Sequence, residues 1–215
     1  MARPAPAAGS ALNGAAAPLH HLGLLASHRG SNLQAVIDAC RSGRLPAETR
    51  VVISNNRESG ALLRAREAGI PAYHLSGQTH APDAALDAAI LEVLWRHGVG
   101  LLVLAGYMKR LGAPILASFR NRIVNIHPAL LPRYGGAGMY GLRVHEAVLA
   151  AGETESGATV HLVDEHYDHG RILAQRRVPV LAADTPGALA ERVLACEHAL
   201  LIETLDELLA GRIAL

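Results

Sequence analysis

Sulfur is scarce in this 215-residue chain: only two cysteines occur, Cys40 and Cys196, far apart and in stretches that read as helical. That scarcity excludes a disulfide framework and any CxxC metal knuckle. It fits two reduced, half-buried thiols in a cytoplasmic protein. An excess of charge is missing as well. The formal net charge is +1, which argues against a surface built to coat nucleic acid or an anionic membrane. No apolar run is long enough to span a bilayer, and the N-terminus has no apolar signal-peptide segment. No internal repeat or linker divides the chain. The phosphate-loop pattern GxxxxGK[ST], the dinucleotide pattern GxGxxG and the zinc pattern HExxH are all absent.

What is present is a core. Half of the residues are hydrophobic, enough for one domain of ordinary size. Residues 1–18, "MARPAPAAGSALNGAAAP", read as a disordered Ala/Pro-rich tail, and 19–215 as a single domain. Strands are expected at 21–27, 50–54, 71–75 and 99–106, with helices near 32–42, 59–69, 82–98 and 112–118. The run "VGLLVLAG" is apolar throughout, as in a parallel strand buried on both faces. This βαβα rhythm predicts a doubly wound α/β fold with a mostly parallel sheet. "ATVHLV" (158–163) and "RILAQRRVPV" (171–180) alternate and predict antiparallel additions in the C-terminal half. A long helix closes the chain over 185–211, with Thr185 as cap, Pro186 at its first position and Gly211 at its end.

Three stretches carry chemistry. "SHRGSNLQ" (27–34) joins the first strand to the first helix, where an α/β sheet binds ligands. A helix N-terminus there is either a plain cap or a phosphate seat; Gly30 permits close approach, and Ser31 and Asn32 add donors. "RIVNIHPALLPRY" (122–134) begins as a strand and then places Asn125 and His127 on one face, followed by Pro128 and Pro132. The pair is either a strand-end cap with a satisfied histidine or a donor set for a developing oxyanion, stiffened by the prolines. "HLVDEHYDHG" (161–170) concentrates His161, Asp164, Glu165, His166, Asp168 and His169. It reads as a polar loop, as a metal site without a standard ligand pattern, or as the source of one acid that reaches His127. Asp168 sits where the loop must turn.

With "SHRGSNLQAVIDAC", "LAGYMKRL", "NIHPALLPRY", "SGATVHLVDEHYDHG" and the "EH" at 197–198, the chain resembles the phosphoribosylglycinamide formyltransferase family of the folate-dependent formyltransferases, over roughly residues 22 to 213. The resemblance implies a Rossmann-like formyltransferase fold. It also implies transfer of the formyl group of 10-formyltetrahydrofolate to glycinamide ribonucleotide in purine synthesis, with small-molecule partners, no nucleic acid, no membrane and no metal. On the matching positions it implies that Asn125, His127 and Asp168 are catalytic. Gly30, Ser31, Asn32 and Glu197 would hold the substrate. Met108, Lys109, Arg110 and Leu111, with Asn125, Asp164, Glu165 and His166, would hold the folate. Departures exist. The stretch "RYGGAGMYGLRVHEAV" is longer than the commoner loop and is similar to a bacterial variant, Lys109 replaces a frequent Arg, and "APDAALD" lacks an Arg found in some members. Monomer and homodimer both stay open.

Rival members of the superfamily carry features not found here. Methionyl-tRNA formyltransferase has a further C-terminal domain, and formyltetrahydrofolate hydrolase an N-terminal regulatory one. Sugar-nucleotide formyltransferases lack the RGSNLQ type of loop. A silent nucleotide- or folate-binding module would not need Asn125, His127 and Asp168 together. In the expected chemistry, Asn125 and a cationic His127 meet the oxyanion, His127 protonates the leaving nitrogen, and Asp168 raises the imidazole pKa and relays the amine's proton.

Overall fold

The computed structural model describes residues 18–215, so all but the last residue of the expected tail lies outside the described residues. In chain order the elements are β1 (His21–Leu25), α1 (Ser31–Arg41), β2 (Glu48–Ser54), α2 (Gly60–Glu67), β3 (Ala72–His74), α3 (Asp83–Arg96) and β4 (Leu101–Leu104). They continue with α4 (Ala113–Ser118), β5 (Ile123–His127), α5 (Leu142–Ala150), β6 (Glu155–Leu162), β7 (Ile172–Pro179) and α6 (Pro186–Leu209). The seven strands form one sheet in the order β3-β2-β1-β4-β5-β6-β7. The first five are mutually parallel. β6 runs antiparallel to both of its neighbours, so β7 points the same way as β5.

The central strands explain their own sequences. Leu22 and Leu24 of β1, with Leu101 and Val103 of β4, face a core shared with α1, α2 and α6. Leu25, Leu102 and Leu104 face the opposite core, shared with α3 and α4. Helices on both faces leave no polar side for these strands to show, which is why they read as unbroken apolar runs. Helix ends follow local chemistry. The Ser59 side chain accepts from Leu62 N–H at the start of α2, and Thr185 does the same for Ala188 at the start of α6. No helix among the described residues is long and apolar enough to cross a membrane.

One element departs from the sequence reading. The stretch after the Asn-x-His strand, expected as a lengthened loop over 134–145, contains α5 from Leu142 onward. Val144 and Val148 are buried at helical spacing, but four glycines between 135 and 141 mask the start of that periodicity. Helix α5 begins behind Gly141 without a side-chain cap bond, so it lacks the usual start signal.

Strand order reverses between β1 and β4, the place where an open α/β sheet leaves a crevice beyond its strand ends. The loops after β1, β4 and β5 meet there.

Candidate active site

A cavity of about 720 Å³ fills that crevice. The loop after β1 lines one end. Gly30 takes a left-handed φ of 71° and caps α1 with no side-chain bond, leaving the first-turn amides of the helix open. A Cβ at Gly30 would stand 2.8 Å from the Ala61 Cα, so both its conformation and the close approach of α2 require glycine. Ser31 and Asn32 line the cavity beside it.

Asn32 is buried and its Nδ2 donates to Glu197 Oε2 at 2.5 Å, while its Oδ1 is buried with no partner. Glu197 comes from α6, where Ala190, Leu194 and Glu197 line the cavity at helical spacing. Glu197 is 7% exposed, and burial pushes its pKa up to about 7, against the Asn32 hydrogen bond, which lowers it. The folded-state value lies above the ordinary one of 4.5. Ionisation of Glu197 therefore opposes folding: the cost is absent below about pH 4.5, grows up to about pH 7 and is constant above it. Glu197→Gln keeps a partner for Asn32 and removes that cost. We expect the variant to be more stable at pH 8, by on the order of 2–3 kcal/mol, and to match the parent near pH 4. Melting curves at the two pH values check this; equal stability at pH 8 would contradict the buried charge.

At the middle of the cavity, β5 delivers Asn125 and His127. His127 Nε2 donates to the Tyr134 carbonyl at 2.8 Å, so Nε2 carries the ring proton and Nδ1 faces Asp168 Oδ2 at 3.6 Å. Asp168 comes from the β6–β7 loop, which folds back over the sheet end. Its φ is +57°, the sharp turn expected there, and its Oδ2 also accepts from Gly136 N–H at 2.8 Å. Burial depresses the His127 imidazole below its ordinary value, outweighing the opposing pull of the Asp168 charge and the Tyr134 carbonyl. The direction is opposite to the expected one: Asp168 does favour the cation, but loss of water wins. The Asp168 carboxyl is pushed up by burial, yet the contacts from His161, His127 and Gly136 together hold it below its ordinary value.

His161 falls on a strand, as the run 158–163 predicts, but its part in the site was not read from the sequence. It lies on β6 just before the polar loop, paired across the ladder with Asn125 and 2% exposed. Its Nδ1 donates to the Leu162 carbonyl at 2.8 Å, and its Nε2 stands 3.0 Å from Asn125 Nδ2 and 3.5 Å from Asp168 Oδ1. A neutral ring with its proton on Nδ1 accepts from the Asn125 amide and thereby fixes which way that amide points. Only the antiparallel register brings the two together.

The other end of the cavity is lined by Met108, Lys109, Arg110 and Leu111 after β4, and by Asp164, Glu165 and His166. Arg110 donates to the Glu165 carbonyl at 2.8 Å, joining the two segments. Ser27, the first residue of the SHRGSNLQ stretch but given no role there, ties this end to the glycine loop. Its buried hydroxyl donates to Asn55 Oδ1 at 2.5 Å and accepts the Met108 N–H at 2.7 Å. Every residue that the resemblance assigns to catalysis, substrate or folate thus borders one cavity. Among the described residues, no group of three or more His, Cys, Asp or Glu comes together as a metal site.

Comparison with known proteins agrees with this arrangement. Residues 22–205 match the family described as formyl transferase. The chain is 42% identical over 192 residues to the chloroplastic phosphoribosylglycinamide formyltransferase of Vigna unguiculata, covering 89% of this chain and 62% of that one. It therefore spans less than two thirds of that relative. It is 36% identical over 177 residues to phosphoribosylglycinamide formyltransferase of Escherichia coli K12, covering 82% of this chain and 81% of that one. The crystal structure of glycinamide ribonucleotide transformylase 1 from Symbiobacterium toebii superposes with a TM-score of 0.85 at 41% identity, covering 91% of both chains. The chain belongs to the formyl transferase family, and within it to the phosphoribosylglycinamide formyltransferases.

Proposed function

We propose that this protein transfers the formyl group of 10-formyltetrahydrofolate to the amine of glycinamide ribonucleotide. The observation that carries the reading is the convergence of Asn125, His127 and Asp168 between a glycine-led helix N-terminus and the 108–111 and 164–166 segments, all on one cavity. The helix terminus suits a phosphate. The far end, with Met108 and Leu111 beside Arg110, suits a folate that is apolar along its rings and anionic at its tail.

The reaction forms a bond from the amine nitrogen to the formyl carbon and breaks the bond from that carbon to the folate nitrogen. The amine loses one proton and the folate nitrogen gains one. An Asn125 amide N–H, aimed by His161, meets the developing oxyanion. With His127 Nε2 held by the Tyr134 carbonyl, Nδ1 is the atom that takes up and returns the proton. The ring is neutral at rest because burial depresses its pKa. Asp168, ionised and 3.6 Å from Nδ1, stabilises the imidazolium once it forms. Pro128 and Pro132 stiffen the exit from β5 and preorganise the pair. A formyl-transfer assay with the two purified substrates tests the reading, and no product from either would refute it.

The glycine loop yields a separate expectation. Ser31→Glu places a like charge where the phosphate would sit. Glycinamide ribonucleotide should bind at least about 100-fold more weakly, through loss of charge-assisted bonds and added repulsion. Folate affinity should stay within a factor of two. Separate titrations of the two ligands decide it, and equal weakening of both would mean that the loop only supports the fold.

A further inference from the structure

His145 belongs to no part of the mechanism above. It lies one turn into α5, is 4% exposed, and borders the cavity. Its Nδ1 is buried without any hydrogen-bond partner. A buried ring nitrogen with no partner is far better tolerated as a lone pair than as an N–H, because an orphaned donor forfeits a full hydrogen bond. The proton of the neutral ring is therefore assigned to Nε2, the nitrogen left to meet the cavity. Burial and the adjacent His127 both keep the ring from charging, so it stays a donor of fixed polarity.

Its wall is that of the amine substrate. Helix α5 packs against α6, which supplies Ala190, Leu194 and Glu197 to the cavity, with Asn32 bonded to Glu197. His145 adjoins His127 on that wall. We propose that His145 is a substrate-binding residue whose Nε2–H donates to an uncharged oxygen of the amine substrate, its glycinamide carbonyl. The proposal rests on the formyl-transfer reading given above. The carbonyl stands two bonds from the attacking nitrogen. With the phosphate anchored at the glycine loop, a donor on this oxygen immobilises the flexible joint between anchor and amine, and so aims the lone pair. An uncharged imidazole suits that role, because a second cation beside His127 would oppose protonation of His127.

Three variants test this. His145→Leu removes the donor, His145→Asn carries an amide N–H at the position of Nδ1, and His145→Gln carries one at the position of Nε2. We expect Leu and Asn to raise the dissociation constant of glycinamide ribonucleotide about 10-fold, the loss of one well-placed hydrogen bond. Gln should restore affinity to within about threefold. Folate affinity should not change in any of them. Titration of glycinamide ribonucleotide alone reads this without turnover, so an absent formyl transfer in the parent enzyme would refute the assigned reaction separately. Unchanged affinity in Leu, equal losses in Gln and Asn, or parallel loss of folate binding would each overturn the proposal. Should the Leu variant not fold, the Asn–Gln contrast carries the test.

Discussion

His127→Ala is expected to lower formyl transfer by about three orders of magnitude or more, with the fold intact. The ring sits at a strand end, 4% exposed, with one nitrogen spent on the Tyr134 carbonyl and the other facing Asp168. Its removal deletes the atom that receives the amine's proton and returns it to the leaving nitrogen. His161 does not replace it: its Nδ1 is bound to the Leu162 carbonyl, and its Nε2 faces Asn125. Stability should suffer little. His127 itself lines the open cavity, so water can take the place of the ring and no sealed void is left. Single-turnover rates with both substrates saturating, alongside circular dichroism and thermal melting, check the claim. Near-normal turnover in a folded variant would remove His127 from the chemistry.

The second large effect is expected at Asp168. Asp168→Asn keeps size and shape, and asparagine tolerates the left-handed φ of +57° well. Its amide oxygen still accepts the Gly136 N–H, which the carboxylate holds at 2.8 Å. Only the charge is lost. Turnover should fall about 100-fold or more, because the imidazolium formed during proton transfer loses its counter-ion. The pH profile supplies the sign. Asp168 raises the His127 pKa against the larger depression by burial, so removing the charge lowers that pKa further. A reaction that starts from neutral His127 then loses rate at a lower pH than in the parent, and the acidic limb moves down. An acidic limb that moves up, or a kcat within a factor of three of the parent, would contradict the assignment.

Much of this was legible in the sequence because it depends on local chemistry. The apolar β4 run needs no tertiary information to be read as a strand buried on both faces, and Thr185 and Pro186 announce the start of α6. The positive φ of Asp168 could be anticipated from a loop that must turn just before Gly170. Where signals were weak or shared, the reading failed. The glycines before α5 hid a helix. His161 was legible as a strand residue, but not as the partner of Asn125, since nothing nearby in the chain reveals which residue faces it across a ladder. Ser27 and His145 lie in stretches that the sequence marked, but with no role of their own, and their significance lies in who is, or is not, within reach.

The sequence by itself determined the alternating architecture, the helix N-terminus led by Gly30, and the identity of the Asn-x-His pair with a later acid, because period, caps and residue type are properties of short stretches. Only the tertiary structure decided the state of those groups. Which His127 nitrogen is free depends on the Tyr134 carbonyl seven residues away, and the orientation of Asn125 depends on His161 across a ladder. Burial reverses the expected rise in the His127 pKa and lifts Glu197 to about 7. Desolvation depends on everything packed around a group, and that packing is set by residues distant along the chain.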